Sequence, residues 1–271
     1  MGSEKYTNTL IFSLLVFAGV IFPFCPTSSG AEKADGMSAA ALEKIGRRIW
    51  QNECAGTVDG LTSWNAGENF ASLGIGHFIW YPAGVEGPFE ESFPKLKAWF
   101  QSEGVALPKW VTAAQDCPWP DKKSFERAHD SSEQKELRKL LSATLPQQTR
   151  FIIRRLDEAV PKYRRAAGNA SGNVEKNVAL LRQTAAGYFA MIDYVNFKGE
   201  GLNPKERYKG EGWGLLQVLI DMRADDASSA PSAFAEAAKR MLTRRVANSA
   251  RERNEERWLP GWKSRCDDYR K

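Results

Sequence analysis

A carboxyl group on the apolar face of a helix is a candidate proton donor, and Glu53 is such a group. Leu42, Ile45, Ile49 and Trp50 recur at the three-and-four spacing of one helical face, and Glu53 follows Ile49 by four residues and Trp50 by three. Burial there disfavours the charged form and lets the group hold a proton at neutral pH. Such an acid can deliver its proton to a glycosidic oxygen. Just downstream lie two further carboxylates, Asp59 and Glu68, the hydroxyl of Ser72 and the imidazole of His77.

The elements that must position these groups can be read from the same stretch. Ser38 is a suitable N-cap for a helix reading SAAALEKIGRRIWQNEC, which is rich in good helix formers. After Glu53 come Gly56, Gly60 and Gly67 with Asn65 and Asn69, a turn-rich composition. Leu73, Ile75, His77 and Ile79 then alternate with Ser72, Gly74, Gly76, Phe78 and Trp80, which predicts a strand. Gly74 and Gly76 on one face of it would let a backbone or a ligand approach closely.

A helix ending in Glu, a hairpin and then Leu73-Gly-Ile-Gly-His77 resembles the phage-type lysozymes and the wider lysozyme-like superfamily. The resemblance implies that Glu53 is the catalytic acid and that Ser72 stands where the family carries a Thr. The family's Asp is not matched: counting back from the strand reaches Ala66, with Glu68 the better placed and Asp59 the other nearby acid. It implies an α+β fold, mostly α, with a small β-hairpin lobe beside a larger helical lobe and a β-1,4-linked amino-sugar polymer bound between them. Asn65, Gly74, Gly76, His77, Trp80 and Tyr81 are the expected substrate-binding residues, His77 more for structure than for catalysis. AMIDYVNFKGEG, residues 190–201, resembles the core helix that ends at a glycine beside the cleft, and NSARERNEERWLPGW loosely resembles the family's closing Arg-rich helix. Gly214-Leu-Leu-Gln217 looks like a lytic transglycosylase signature, but it lies far behind Glu53 instead of close to it.

With 271 residues the chain suffices for one large domain or two small lobes. Residues 1–31 read as a secretory signal: Lys5, an apolar run from Leu10 to Phe24 that is short for a bilayer span, and Ser29-Gly30-Ala31 as the cleavage site. The mature part, 32–271, is then a secreted or periplasmic lysozyme-like domain with no stable membrane anchor and an insertion around 82–130. Cys54, Cys117 and Cys266 remain; two of them can pair in an oxidising compartment, and the sequence does not choose which. His77 and His129 are the only histidines, so neither a metal nor another cofactor is expected. Phosphate-cradling glycine motifs, a Ser-His-Asp pattern and a recognisable nucleic-acid fold are all absent from the sequence.

The rest of the pattern is helical. Phe93, Leu96, Trp99 and Phe100 predict a short helix ended by Gly104; Ser131 to Val160 reads as helix; Ala167 to Asn173 reads as a polar linker; and Asn177 to Phe197 reads as a central buried helix carrying Asp193, taken as a packing residue. Arg150, Arg154, Arg155, Lys162, Arg164 and Arg165 are expected on a solvated face, and Trp80, Tyr81, Trp110 and Trp119 in loop-like surroundings. From Lys239 to Lys271 eleven Lys or Arg face five acids, an excess that covers the whole net charge of +5 and would attract anionic polymers such as peptidoglycan. The expectation is a secreted glycosidase acting on peptidoglycan. The alternatives are a chitin or chitosan hydrolase, a lytic transglycosylase, or a wall-binding protein that has lost the chemistry.

Overall fold

The computed structural model describes residues 37–87, 89–204 and 207–270; the expected signal at 1–31 lies outside them. Helices dominate, with one small antiparallel sheet, an α+β architecture that is mostly α. Helix α1 (Ala39–Cys54) starts where the sequence places it, with the Ser38 hydroxyl accepting from Ala41 N–H at 3.2 Å. Leu42, Ile45 and Ile49 are buried, and Ala55, in the left-handed region, ends the helix.

The sheet has the order β1 (Thr62–Ser63), β2 (Ala71–Leu73), β3 (Phe78–Trp80), with Ser72 opposite Ser63 on one side and Ile79 on the other. Here the alternating pattern misleads. Residues 72–80 are not one strand but two, reversed at Gly74–His77, because Gly74 (φ 68°) and His77 (φ 47°) adopt the left-handed conformation of a tight turn. Ala71, Leu73, Phe78 and Trp80 face the main core, while Ile79 with Phe70 and Tyr81 forms a second cluster closed by Val85 and Phe89. The outer edge of β3 is covered by the following segment: Ser92 N–H donates to Ile79 O, and Ile79 N–H to Ser92 Oγ.

Residues 93–127 add α2 (Phe93–Ser102), α3 (Lys109–Ala113) and α4 (Lys122–Arg127) against the sheet and core. The stretch predicted as one helix from Ser131 is two, α5 (Ser132–Ala143) and the long α6 (Leu145–Ala167), broken at Thr144 with Pro146 in the first turn of α6, where its missing N–H costs nothing. The predicted linker at 167–173 is only a 3-10 turn, Gly168–Ala170, before α7 (Ser171–Leu181). The predicted central helix likewise divides: α8 (Ala185–Lys198) begins afresh with Thr184 capping Gly187 N–H. Residues Gly187 to Val195 are all buried, as expected of a helix that is apolar all round.

Helix α9 (Leu215–Asp221) explains the Gly214–Gln217 motif. Gln217 Oε1 accepts from Gly214 N–H at 2.9 Å and its Nε2 donates to Gly201 O at 3.0 Å, so the motif staples the 199–214 loop. Helix α10 (Ala230–Asn248) buries Phe234, Ala238, Met241 and Leu242 at the spacing of one helical face. The Arg-rich segment after it forms two 3-10 turns, Arg251–Arg253 and Glu255–Trp258, before α11 (Leu259–Asp267).

Candidate active site

The last turn of α1 is docked onto the Gly74–His77 turn. Cys54 Sγ donates to Gly74 O at 3.7 Å and lies 3.9 Å from His77 Nε2. The other side of that turn is pinned to α6 by Gln148, which is fully buried: its Oε1 accepts from Ile75 N–H at 3.0 Å and its Nε2 donates to Leu141 O at 2.6 Å. A Cβ at Gly74 would stand 2.4 Å from that Oε1, so this glycine admits a protein side chain, not a ligand. At Gly76 a Cβ would meet the Phe78 ring and Ile152 of α6.

Glu53 leaves this last turn with its side chain only 7% exposed, as the apolar spacing requires, yet it has a charged partner. Arg265 Nη2 of α11 donates to Glu53 Oε1 at 2.8 Å. The same guanidinium grips Asp193 of α8 through two bonds, Nε to Oδ2 at 2.8 Å and Nη2 to Oδ1 at 2.7 Å. Asp193 also accepts from Asn52 Nδ2 at 2.8 Å and from Tyr269 O–H at 2.7 Å. Burial pulls the Arg265 guanidinium down, but the bonds to Asp193 and the charges of Asp193 and Glu53 outweigh it and hold it above its ordinary value. Burial and the Asp193 charge both push the Tyr269 hydroxyl well up, so it stays a donor. The dry, isolated acid expected from the sequence is therefore an ion-paired one, and Asp193, expected to pack, is the hub of its network.

Between the hairpin and the helices runs a narrow crevice of about 30 Å³, lined by Gly76, Phe78, Ile152, Arg155, Leu156, Tyr163, Ile192, Val195 and Asn196; Glu53 itself is not in that lining. Its polar end is made by Arg155, ion-paired to Glu90 at 3.2 Å, and by Tyr163, whose hydroxyl donates to buried Glu200 at 3.3 Å. Arg155 thus faces the cleft instead of the solvated face predicted for it.

The other expected site residues are placed elsewhere. Trp80 is fully buried against Phe93 and Trp110, and Tyr81 is 6% exposed against Phe70, so neither offers a ring to a sugar. Ser72 is 1% exposed on the covered face of the sheet, and its Oγ has no hydrogen-bond partner. Glu68 closes the β1–β2 turn, accepting from Asn65 Nδ2 at 3.1 Å. Among the described residues no hydrogen bond or ion pair joins Glu68 or Ser72 to Glu53. Asp59 lies 3.6 Å from both His129 and Arg138, beside a separate groove of about 300 Å³ between β1 and α4. Cys54, Cys117 and Cys266 are unpaired and buried, and burial pushes each thiol up to about 12.

What the sequence could not show was Arg265, Gln148 and Tyr163 with Glu200, since each acts across the fold. Comparison of the chain with protein-family models, with curated proteins and with solved structures finds no match.

Proposed function

We propose that the chain is a secreted glycoside hydrolase of lysozyme-like fold that cleaves β-1,4 linkages in peptidoglycan, with Glu53 as the acid. The observation that carries the reading is a carboxyl group, 7% exposed, at the end of α1, docked through Cys54 on the glycine turn whose Gly76 lines the interlobe cleft. The network fits the role. Asp193 takes four donors and Glu53 takes one bond from Arg265, so of the two carboxylates Glu53 is the one less committed to the network. After Glu53 protonates the leaving oxygen, the carboxylate it becomes already has a guanidinium in place. A zymogram with embedded peptidoglycan tests this: wild type clears the gel and Glu53→Gln does not. Equal clearing by both removes Glu53 as the acid.

One observation favours a second enzymatic route. Glu68, the second carboxylate expected from the sequence, is engaged by Asn65 in the β1–β2 turn, and among the described residues no hydrogen bond or ion pair ties it or Ser72 to Glu53, so the catalytic pair of carboxylates has no assigned second member. A retaining or inverting hydrolase requires such a pair. A lytic route uses a single acid, with the sugar's own hydroxyl as nucleophile, and releases anhydro-sugars in place of new reducing ends. Product analysis distinguishes the two.

A further inference from the structure

Past the Glu53–Arg265 pair, an aromatic ledge continues along the helical lobe. The Arg265 guanidinium lies 4.6 Å from the centre of the Phe197 ring, Phe197 meets Trp262 at 6.4 Å, and Trp262 meets Trp258 at 6.0 Å. Trp258 and Trp262 are half-buried, and Trp258, unlike Trp262, stands off the main core. Two of its rings already meet a protein cation, Lys198 Nζ lying 3.4 Å from the Trp262 ring centre and 3.9 Å from that of Phe197, so Trp258 is the ring on which the ledge depends. Arg245 makes two bonds to buried Glu255, at 2.9 and 3.0 Å, and its guanidinium lies 5.1 Å from the Trp262 ring centre. Exposed Arg257 lies 4.6 Å over Trp258, and exposed Arg253 lies 5.2 Å from the ring centre of Tyr208, whose hydroxyl donates to Glu255.

We propose that this ledge binds an acidic glycan strand as it runs out of the Glu53 site. Two features select this occupant. The negative face of an indole attracts the polarised C–H bonds on a pyranose face, and exposed guanidinium groups beside it pair with carboxylates such as those of peptide-substituted sugars. Contact from ring to ring back to Arg265 makes the ledge continuous with the acid. The inference rests on the proposed glycosidase reading and extends it, assigning the ledge to substrate several residues away from the scissile bond.

The test uses the full chain with two soluble probes: peptidoglycan fragments carrying free peptide carboxylates, and neutral chitin oligomers of the same length. Trp258→Ala weakens binding of both by about fivefold or more, since a surface aromatic contact contributes on the order of 1 kcal/mol. Arg257→Gln weakens only the acidic probe, and added salt removes that difference. Trp258→Phe restores most of the binding, which a merely structural role would not require. If Trp258→Ala and Arg257→Gln bind both probes as wild type does, the ledge is not a glycan site. Glu53→Gln separates the two readings. Loss of clearing with intact ledge binding supports both, whereas full clearing by Glu53→Gln overturns the acid and leaves the ledge to stand on its binding data.

Discussion

Lys198, the last residue of α8, places an amine where a charge is costly. It is 6% exposed, with Nζ 3.4 Å from the Trp262 ring centre and 3.9 Å from that of Phe197. Arg245 of α10, Glu255 of the second 3-10 turn and Arg265 of α11 surround it, and Glu255 is already engaged by Arg245. Burial first, then the Arg245 charge, lowers its pKa from 10.5 to about 6, against the pull of Glu255. At about 1.4 kcal/mol per tenfold change in proton affinity, forcing the proton onto the folded chain costs roughly 6 kcal/mol. The two ring faces attract the charged form by about 2 kcal/mol, so a penalty of roughly 4–6 kcal/mol is expected across the titration. The folded amine holds its proton more weakly than the unfolded one. Between about pH 6 and 10.5 the unfolded chain therefore carries more protons, and stability rises with pH. Lys198→Met keeps the packing stem and removes the titration. Urea unfolding of both proteins from pH 5 to 10 should show the variant more stable by roughly 4–6 kcal/mol at the acid end, with the two curves converging towards pH 10. Parallel curves across that range would refute the reasoning, because they would mean that the amine is charged in the folded chain throughout.

Other consequences follow from single contacts. Arg265→Met strands Asp193, 1% exposed, as an unpaired buried charge and should cost about 3–5 kcal/mol in unfolding free energy; adding Asp193→Asn to it should recover part of that loss in a double-mutant cycle. Gly74→Ala places a Cβ against Gln148 Oε1 at a positive φ and should cost at least about 1–2 kcal/mol by thermal or urea unfolding, whereas Gly67→Ala, with open space around it, suffers only the backbone strain. With their thiols buried and pushed up to about 12, Cys54, Cys117 and Cys266 should resist a disulfide reagent at pH 8 in the native chain and react on unfolding.

The sequence was informative wherever one local rule governed a segment. Helix α1 combines a serine cap with an unbroken 3.6-residue pattern, and α2 and α10 have similar apolar spacing, so all three could be read directly. The hairpin could not, because the alternation of residues 72–80 runs straight through its turn and only backbone torsions at Gly74 and His77 mark the reversal. The breaks near Thr144 and Thr184 did carry signals, a proline at a helix start and a threonine cap, but continuous apolar composition outweighed them. Trp80 and Tyr81 follow the glycine turn as groove residues would, yet Val85, Phe89, Ser92 and α2 pack over that part of the chain, a tertiary event without local trace.

The partner of the acid lies furthest from what a local pattern can show, since Arg265 and Glu53 are 212 residues apart. Its presence changes the physical basis of the site. A lone carboxyl on an apolar face would meet only desolvation; this one meets a guanidinium that a second carboxylate also holds. The sharing of that guanidinium is unequal. Asp193, fixed by Asn52 and Tyr269 as well, holds Arg265 through Nε and Nη2, and Glu53 receives only a branch of the Nη2 interaction. Of the two carboxylates around that guanidinium, Glu53 is the less fully bonded. Asp193 thus fixes the guanidinium that Glu53 meets, from a place one residue beyond Ile192 of the crevice lining. A substitution at Asp193 that leaves α8 folded should free Arg265 to bond Glu53 more fully, and under the proposed function the peptidoglycan zymogram should then show weaker clearing.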